Sequence, residues 1–185
     1  MTKYSKATLG KGKKSKDALI RQGEIEPLCA FVHEHLFSIY HSRDGKDFNE
    51  LTLKTLFITL LYDTEIYLVD SEPAFGQRFG DLLLMVRPRM RGRGLYDFLL
   101  EFKYVKRSKI TEKKADGKLR ELTQKELKSR SEEELTRLSS VKAAFDETQL
   151  DAYRDHLVKK HGDDLNLRCY AIVGLGFERI LWRKY

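Results

Sequence analysis

The chain has 185 residues, 41% of them hydrophobic and 34% charged, with only 3 prolines, which suits one globular domain with a single core and excludes a disordered or fibrous chain. Its longest apolar stretches, such as 82–86, are far too short to span a bilayer. The basic N-terminus lacks the apolar segment of a signal peptide, so a cytoplasmic protein with no membrane role is expected. The net charge of +7 is concentrated at one end: residues 1–21 carry seven Lys and Arg against the single acid Asp17. Overall basicity is therefore no argument for nucleic acid by itself.

Residues 1–20, small, polar and Lys-rich with no apolar period, read as a flexible basic leader ahead of one folded domain over 21–185. The run GKGKKS at 10–15 follows no strand and misses the phosphate-loop spacing. Between 27 and 40, Leu28, Phe31, Val32, Leu36 and Ile39 recur at helical spacing, and the segment 42–45 breaks that helix. A second helix starts near Asp47 or Asn49, either of which can cap it, and buries Leu53, Leu56, Phe57, Leu60 and Leu61. Strands follow at 65–69, 81–86 and 96–104, the last two joined by a Pro- and Gly-containing hairpin loop at 87–94. The charged stretch 105–140 holds short helices capped at Thr123 and Ser131, the latter opening an S-x-x-E capping box with Glu134. One long helix is expected over about 140–161. Two closing strands, 168–173 and 177–182, are separated by Gly174 and Gly176. This order lacks the regular alternation of a doubly wound sheet and predicts an α/β fold with a mixed central sheet flanked by helices. Cys29 and Cys169, far apart and without metal-ligand spacing, are expected as buried reduced thiols.

Chemistry gathers on two of the strands. Asp81 opens the apolar run 81–86, and Glu101 and Lys103 close the run 96–104. Side chains alternate along a strand, so Glu101 and Lys103 share one face while Leu100 and Phe102 take the other. If the two strands form a hairpin, the start of one meets the end of the other and Asp81 lies beside Glu101. Two carboxylates at the rim of an apolar sheet repel each other and call for a cation, best a hard divalent ion. An acid-x-Lys triplet occurs five times in the chain (44–46, 101–103, 112–114, 116–118 and 126–128). Only 101–103 ends an apolar strand with another strand-borne acid about twenty residues upstream. Gln149 and Tyr153, four apart on the long helix, share a face, and Glu50 sits in the first turn of the second helix, where it favours the helix dipole. Arg87, Arg89, Arg91 and Arg93 in the hairpin loop either grip phosphates or blunt a sheet edge.

These strand motifs resemble the PD-(D/E)XK nuclease superfamily, and Gln149-x-x-x-Tyr153 is similar to the additional motif of its RecB-like members. The segments SEPAFGQRFGDLLL at 71–84, FLLEFKY at 98–104 and YAIVGLGFER at 170–179 resemble nuclease domains that often follow an AAA-ATPase-like domain in bacterial proteins. The resemblance implies a restriction-endonuclease-like core and a Mg²⁺- or Mn²⁺-dependent nuclease. Such an enzyme would hydrolyse phosphodiesters of DNA with a metal-activated water and little sequence specificity. It implies Asp81, Glu101, Glu50 and the backbone carbonyl of Phe102 at the metal, and Lys103 orienting or acidifying the attacking water. Gln149 and Tyr153 would contact substrate or brace the site, and an ATPase-like domain or chain would be a partner. The alternative is a catalytically silent module on the same scaffold that binds nucleic acid or a protein. Gly80 stands where the family pattern has proline.

Overall fold

The computed structural model describes residues 6–39, 48–76 and 78–185; the breaker at 42–45 and Asp47 lie outside the described residues. Five strands form the central sheet in the order β1 (Tyr67–Ser71), β4 (Leu82–Val86), β5 (Asp97–Val105), β8 (Leu167–Leu175) and β9 (Arg179–Lys184). Between β1 and β4 in the chain, β2 (Ala74–Phe75) and β3 (Arg78–Phe79) pair as a separate short hairpin. All neighbours are antiparallel except β5 and β8, which run parallel over their full length. That one parallel pairing demands a long crossover, which carries the helices α4 (Gln124–Ser129), α5 (Glu132–Thr136), α6 (Ser139–Asp146) and α7 (Leu150–His161). The sheet is therefore mixed and flanked by helices, as the element order predicts.

Strand alternation divides the core in two. Leu82, Leu84, Phe98, Leu100 and Phe102 pack with α1 (Lys6–Gln22), α2 (Glu26–Phe31) and α3 (Glu50–Leu61), whereas Leu83, Leu99, Ala171 and Val173 pack with the crossover helices. Asn49 caps α3, its side chain accepting from the Thr52 N–H at 3.1 Å, and Leu53, Phe57 and Leu61 form the buried stripe. Thr123 and Ser131 both open capping boxes. Both cysteines are free and buried. No helix among the described residues is long and apolar enough to cross a membrane.

Three local expectations change. Residues 6–20, read as leader, belong to α1, and its last turn is core: Leu19 and Ile20 are buried. The buried apolar residues of α1 are confined to that turn, so no period shows, and tertiary contacts rather than propensity hold the helix. Tyr96 N–H donates to the Ile20 carbonyl, and the Tyr170 hydroxyl donates to the carbonyl of Gly23 just beyond the helix. A small hairpin, β6 (Thr111–Lys113) with β7 (Leu119–Glu121), interrupts the charged stretch. Finally, the expected long helix is two, α6 and α7, broken at Glu147–Gln149.

Candidate active site

The β4–β5 hairpin does what parity and antiparallel pairing require. Leu82 opposes Leu100, so Asp81, one residue before β4, reaches the edge of β5 just past the last paired residue. Its carboxylate accepts the Phe102 N–H at 2.6 Å. The N–H and C=O of one strand residue point to the same edge, so the Phe102 carbonyl also faces this edge, where β4 no longer pairs. Glu101 and Lys103 share the opposite side of the ribbon from Phe102, 3.5 Å apart, and Lys103 Nζ lies 3.7 Å from Glu50 at the start of α3.

The break between α6 and α7 has a consequence here. Gln149 is the N-cap of α7, with φ −115° and ψ 17°, and its free N–H donates to Glu101 Oε2 at 3.1 Å. A continuous helix would have spent that donor internally. Gln149 Oε1 in turn accepts from the Tyr153 hydroxyl, which also donates to the Phe79 carbonyl at 2.9 Å. The helix pair is thus tied to the carboxylates through the Gln149 backbone. Tyr153, buried and stacked on Phe75 at 4.6 Å, braces the segment leading to Asp81.

Electrostatics follow from burial. Glu101 is only 7% exposed. Desolvation pushes its carboxyl above the usual range, with Asp81 adding to the rise and the Gln149 N–H and Lys103 opposing it. Glu50 is raised mainly by the same desolvation. Burial pulls the Lys103 ammonium down, but Glu50, Glu101 and Asp81 outweigh it and hold it above its ordinary value. The three carboxylates thus favour the charged form of Lys103.

Among the described residues no group of three or more His, Cys, Asp or Glu stands ready-made around a metal position. The donor chemistry nonetheless fits a hard cation: Asp81, Glu101 and Glu50 supply only oxygen, the Phe102 carbonyl faces the same edge, and the Glu101 carboxylate is poorly solvated. Lys103 sits as the local counter-charge between Glu50 and Glu101.

Gly80 is explained by its neighbours. Its N–H donates to the Pro73 carbonyl at 3.0 Å, a bond proline cannot make. A Cβ there would come within 2.9 Å of the Phe75 ring. Gly80→Ala is expected to cost about 1–3 kcal/mol by overpacking, read as a lower denaturation midpoint, because Phe75 must leave its stack on Tyr153.

The four loop arginines lie apart from this cluster. They follow β4 and precede Asp97, which is four residues from Glu101, roughly 13 Å along the strand. Arg87 donates to the Thr64 carbonyl, Arg89 pairs with Glu65, and Arg91 pairs in bidentate fashion with Asp97; Arg93 is exposed. Sequence reasoning missed Asp97, which is fully buried. The hint in the sequence was an acid directly before the apolar run 98–100.

Residues 48–154, more than half of the chain and including Glu50, Asp81, Glu101, Phe102, Lys103, Gln149 and Tyr153, match the family model of the PD-(D/E)XK nuclease superfamily. No curated protein and no solved structure gives a significant match. With the family's acid and acid-x-Lys elements brought to one sheet edge and the match running through them, the chain belongs to the PD-(D/E)XK nuclease superfamily.

Proposed function

We propose that this protein is a divalent-metal-dependent nuclease that hydrolyses DNA with little sequence specificity. The observation that carries the reading is the Asp81 carboxylate bonded to the N–H of Phe102, the residue between Glu101 and Lys103. Asp81 and Glu101 would hold Mg²⁺ or Mn²⁺, with the Phe102 carbonyl and Glu50 assisting. A bound divalent ion there supplies charge neutralisation at the phosphate and acidifies water.

The chain's own groups divide the remaining work. The N-terminal N–H of α7 fixes one oxygen of Glu101, which keeps the carboxylate oriented although it is buried. Lys103 holds its proton and presents it to a non-bridging phosphate oxygen or to the attacking water, where charge develops. Tyr153 and Phe75 set the approach to Asp81. The Gln149/Tyr153 pair also supports placement among the RecB-like members. Contacts at these carboxylates and at Lys103 would be with the backbone of the nucleic acid.

Plasmid and linear DNA incubated with Mg²⁺, Mn²⁺ or chelator test this directly. Products are expected with either metal and none with chelator. Nucleic-acid binding without cleavage under any metal would assign the fold to a silent binding module instead. A calorimetric titration with Mn²⁺ should show binding that Asp81→Asn weakens by about tenfold or more; unchanged binding would remove Asp81 from the metal.

A further inference from the structure

One buried charge has no part in the chemistry above. Lys54 lies on α3, one turn after Glu50, and is only 6% exposed. Its ammonium donates to the Glu72 carboxylate at 3.0 Å. Ion pairs between two exposed side chains contribute little. Here the ammonium is covered, and losing Glu72 would leave it without the acceptor it bonds.

Glu72 itself holds an unfavourable backbone. Among the described residues it is the non-glycine position with a positive φ, at +65°, a conformation that L side chains rarely adopt. It also precedes Pro73, which restricts it further. Such a conformation persists only where the surroundings hold it. Two bonds do so: Lys54 holds the carboxylate, and the Glu72 N–H donates to the Asp81 carbonyl at 3.1 Å.

The second bond puts Glu72 at the candidate active site. Ser71 and Leu82 are the last residues paired between β1 and β4 on this side, and residues 73–80 leave the sheet in an excursion that carries the β2–β3 hairpin. The neck of that excursion is closed by the Glu72–Asp81 bond and by the Gly80 N–H donating to the Pro73 carbonyl. Asp81 stands at the neck with its carboxylate on the Phe102 N–H. Tyr153 braces the excursion from α7 through the Phe79 carbonyl. Lys54 braces its base from α3, the helix that carries Glu50.

We propose that Lys54 is a positioning residue of the candidate metal site. Through Glu72 it locks the neck of the excursion and so holds the Asp81 carboxylate in place beside Glu101 and Glu50. One helix then sets two of the acids, Glu50 directly and Asp81 through the Lys54–Glu72 pair. The inference rests on the nuclease reading for the role of Asp81 as a metal ligand, but not for the path from Lys54 to Asp81.

The Lys54→Met/Glu72→Gly variant tests this path. It removes one charge of each sign and relaxes the left-handed residue. Replacing a covered ion pair by an apolar side chain is often neutral or stabilising, and glycine takes positive φ freely. The urea midpoint should therefore stay at or above the wild-type value, while the site loosens. In metal-free protein the Phe102 amide, bonded to Asp81, should exchange with deuterium several-fold faster than in wild type. In calorimetry, Mn²⁺ affinity should fall by about tenfold, the usual loss when a group supporting a ligand is removed. Lys54→Arg, which keeps a cation for Glu72, should stay close to wild type in both measurements. A lowered midpoint with unchanged Phe102 exchange and unchanged Mn²⁺ affinity would make the pair merely structural and overturn the proposal. So would a Lys54→Arg protein that exchanges as fast as the double variant. Wild-type protein that neither binds Mn²⁺ nor cuts DNA would instead remove the nuclease reading, and the metal-free exchange at Phe102 would still decide the path from Lys54.

Discussion

Lys103→Ala is expected to slow phosphodiester cleavage by about 10²–10³-fold, the typical loss when one stabiliser of transition-state charge is removed. Its ammonium lies 3.5 Å from Glu101 and 3.7 Å from Glu50 and stays protonated because the surrounding carboxylates outweigh burial. The fold should survive, since the contacts are long and the side chain remains 23% exposed. Single-turnover rates at saturating Mg²⁺, paired with denaturation midpoints, separate the two effects. Lys103→Arg, which keeps the charge, should recover part of the rate. Cleavage by Lys103→Ala at the wild-type rate would end the assignment.

Arg91→Ala should act on stability instead, at a cost of about 3–5 kcal/mol. Asp97 is fully buried and accepts from the Val86 N–H at 2.7 Å, the Asn166 N–H at 3.0 Å and both terminal nitrogens of Arg91 at 2.5 and 2.8 Å. Removing the guanidinium leaves a buried carboxylate with two neutral donors and no counter-charge. Such a loss is a large fraction of the roughly 5–15 kcal/mol that holds a domain together. Urea unfolding measures it. Asp97→Asn in the Arg91→Ala background should restore part of the loss, because the uncompensated charge is gone. Arg89→Ala is the control: its pair with Glu65 is exposed and should matter little. An Arg91→Ala protein as stable as wild type would show that the pair is not structural.

The loop arginines show why a charge run in a sequence is ambiguous. Four arginines alternate within 87–93, and nothing local distinguishes a phosphate grip from a buried ion pair. The partner that decides the matter for Arg91, Asp97, stands six residues on, at the first position of β5.

What was legible locally is what depends on local geometry. Strand alternation placed Glu101 and Lys103 on one face, hairpin pairing brought Asp81 to them, and hydroxyl and amide side chains at Asn49, Thr123 and Ser131 marked helix starts, because each rests on bonds within a few residues. The tertiary structure decided the rest. Whether 6–22 is a helix depends on a core into which only Leu19 and Ile20 reach. Whether 139–161 is one helix or two depends on Gln149, whose N–H is drawn to Glu101, a residue 48 positions away. Glu50 meets Lys103 only because α3 starts beside the sheet edge. A buried carboxylate takes its donors from whatever segment the fold delivers, and no spacing within the chain announces which segment that will be.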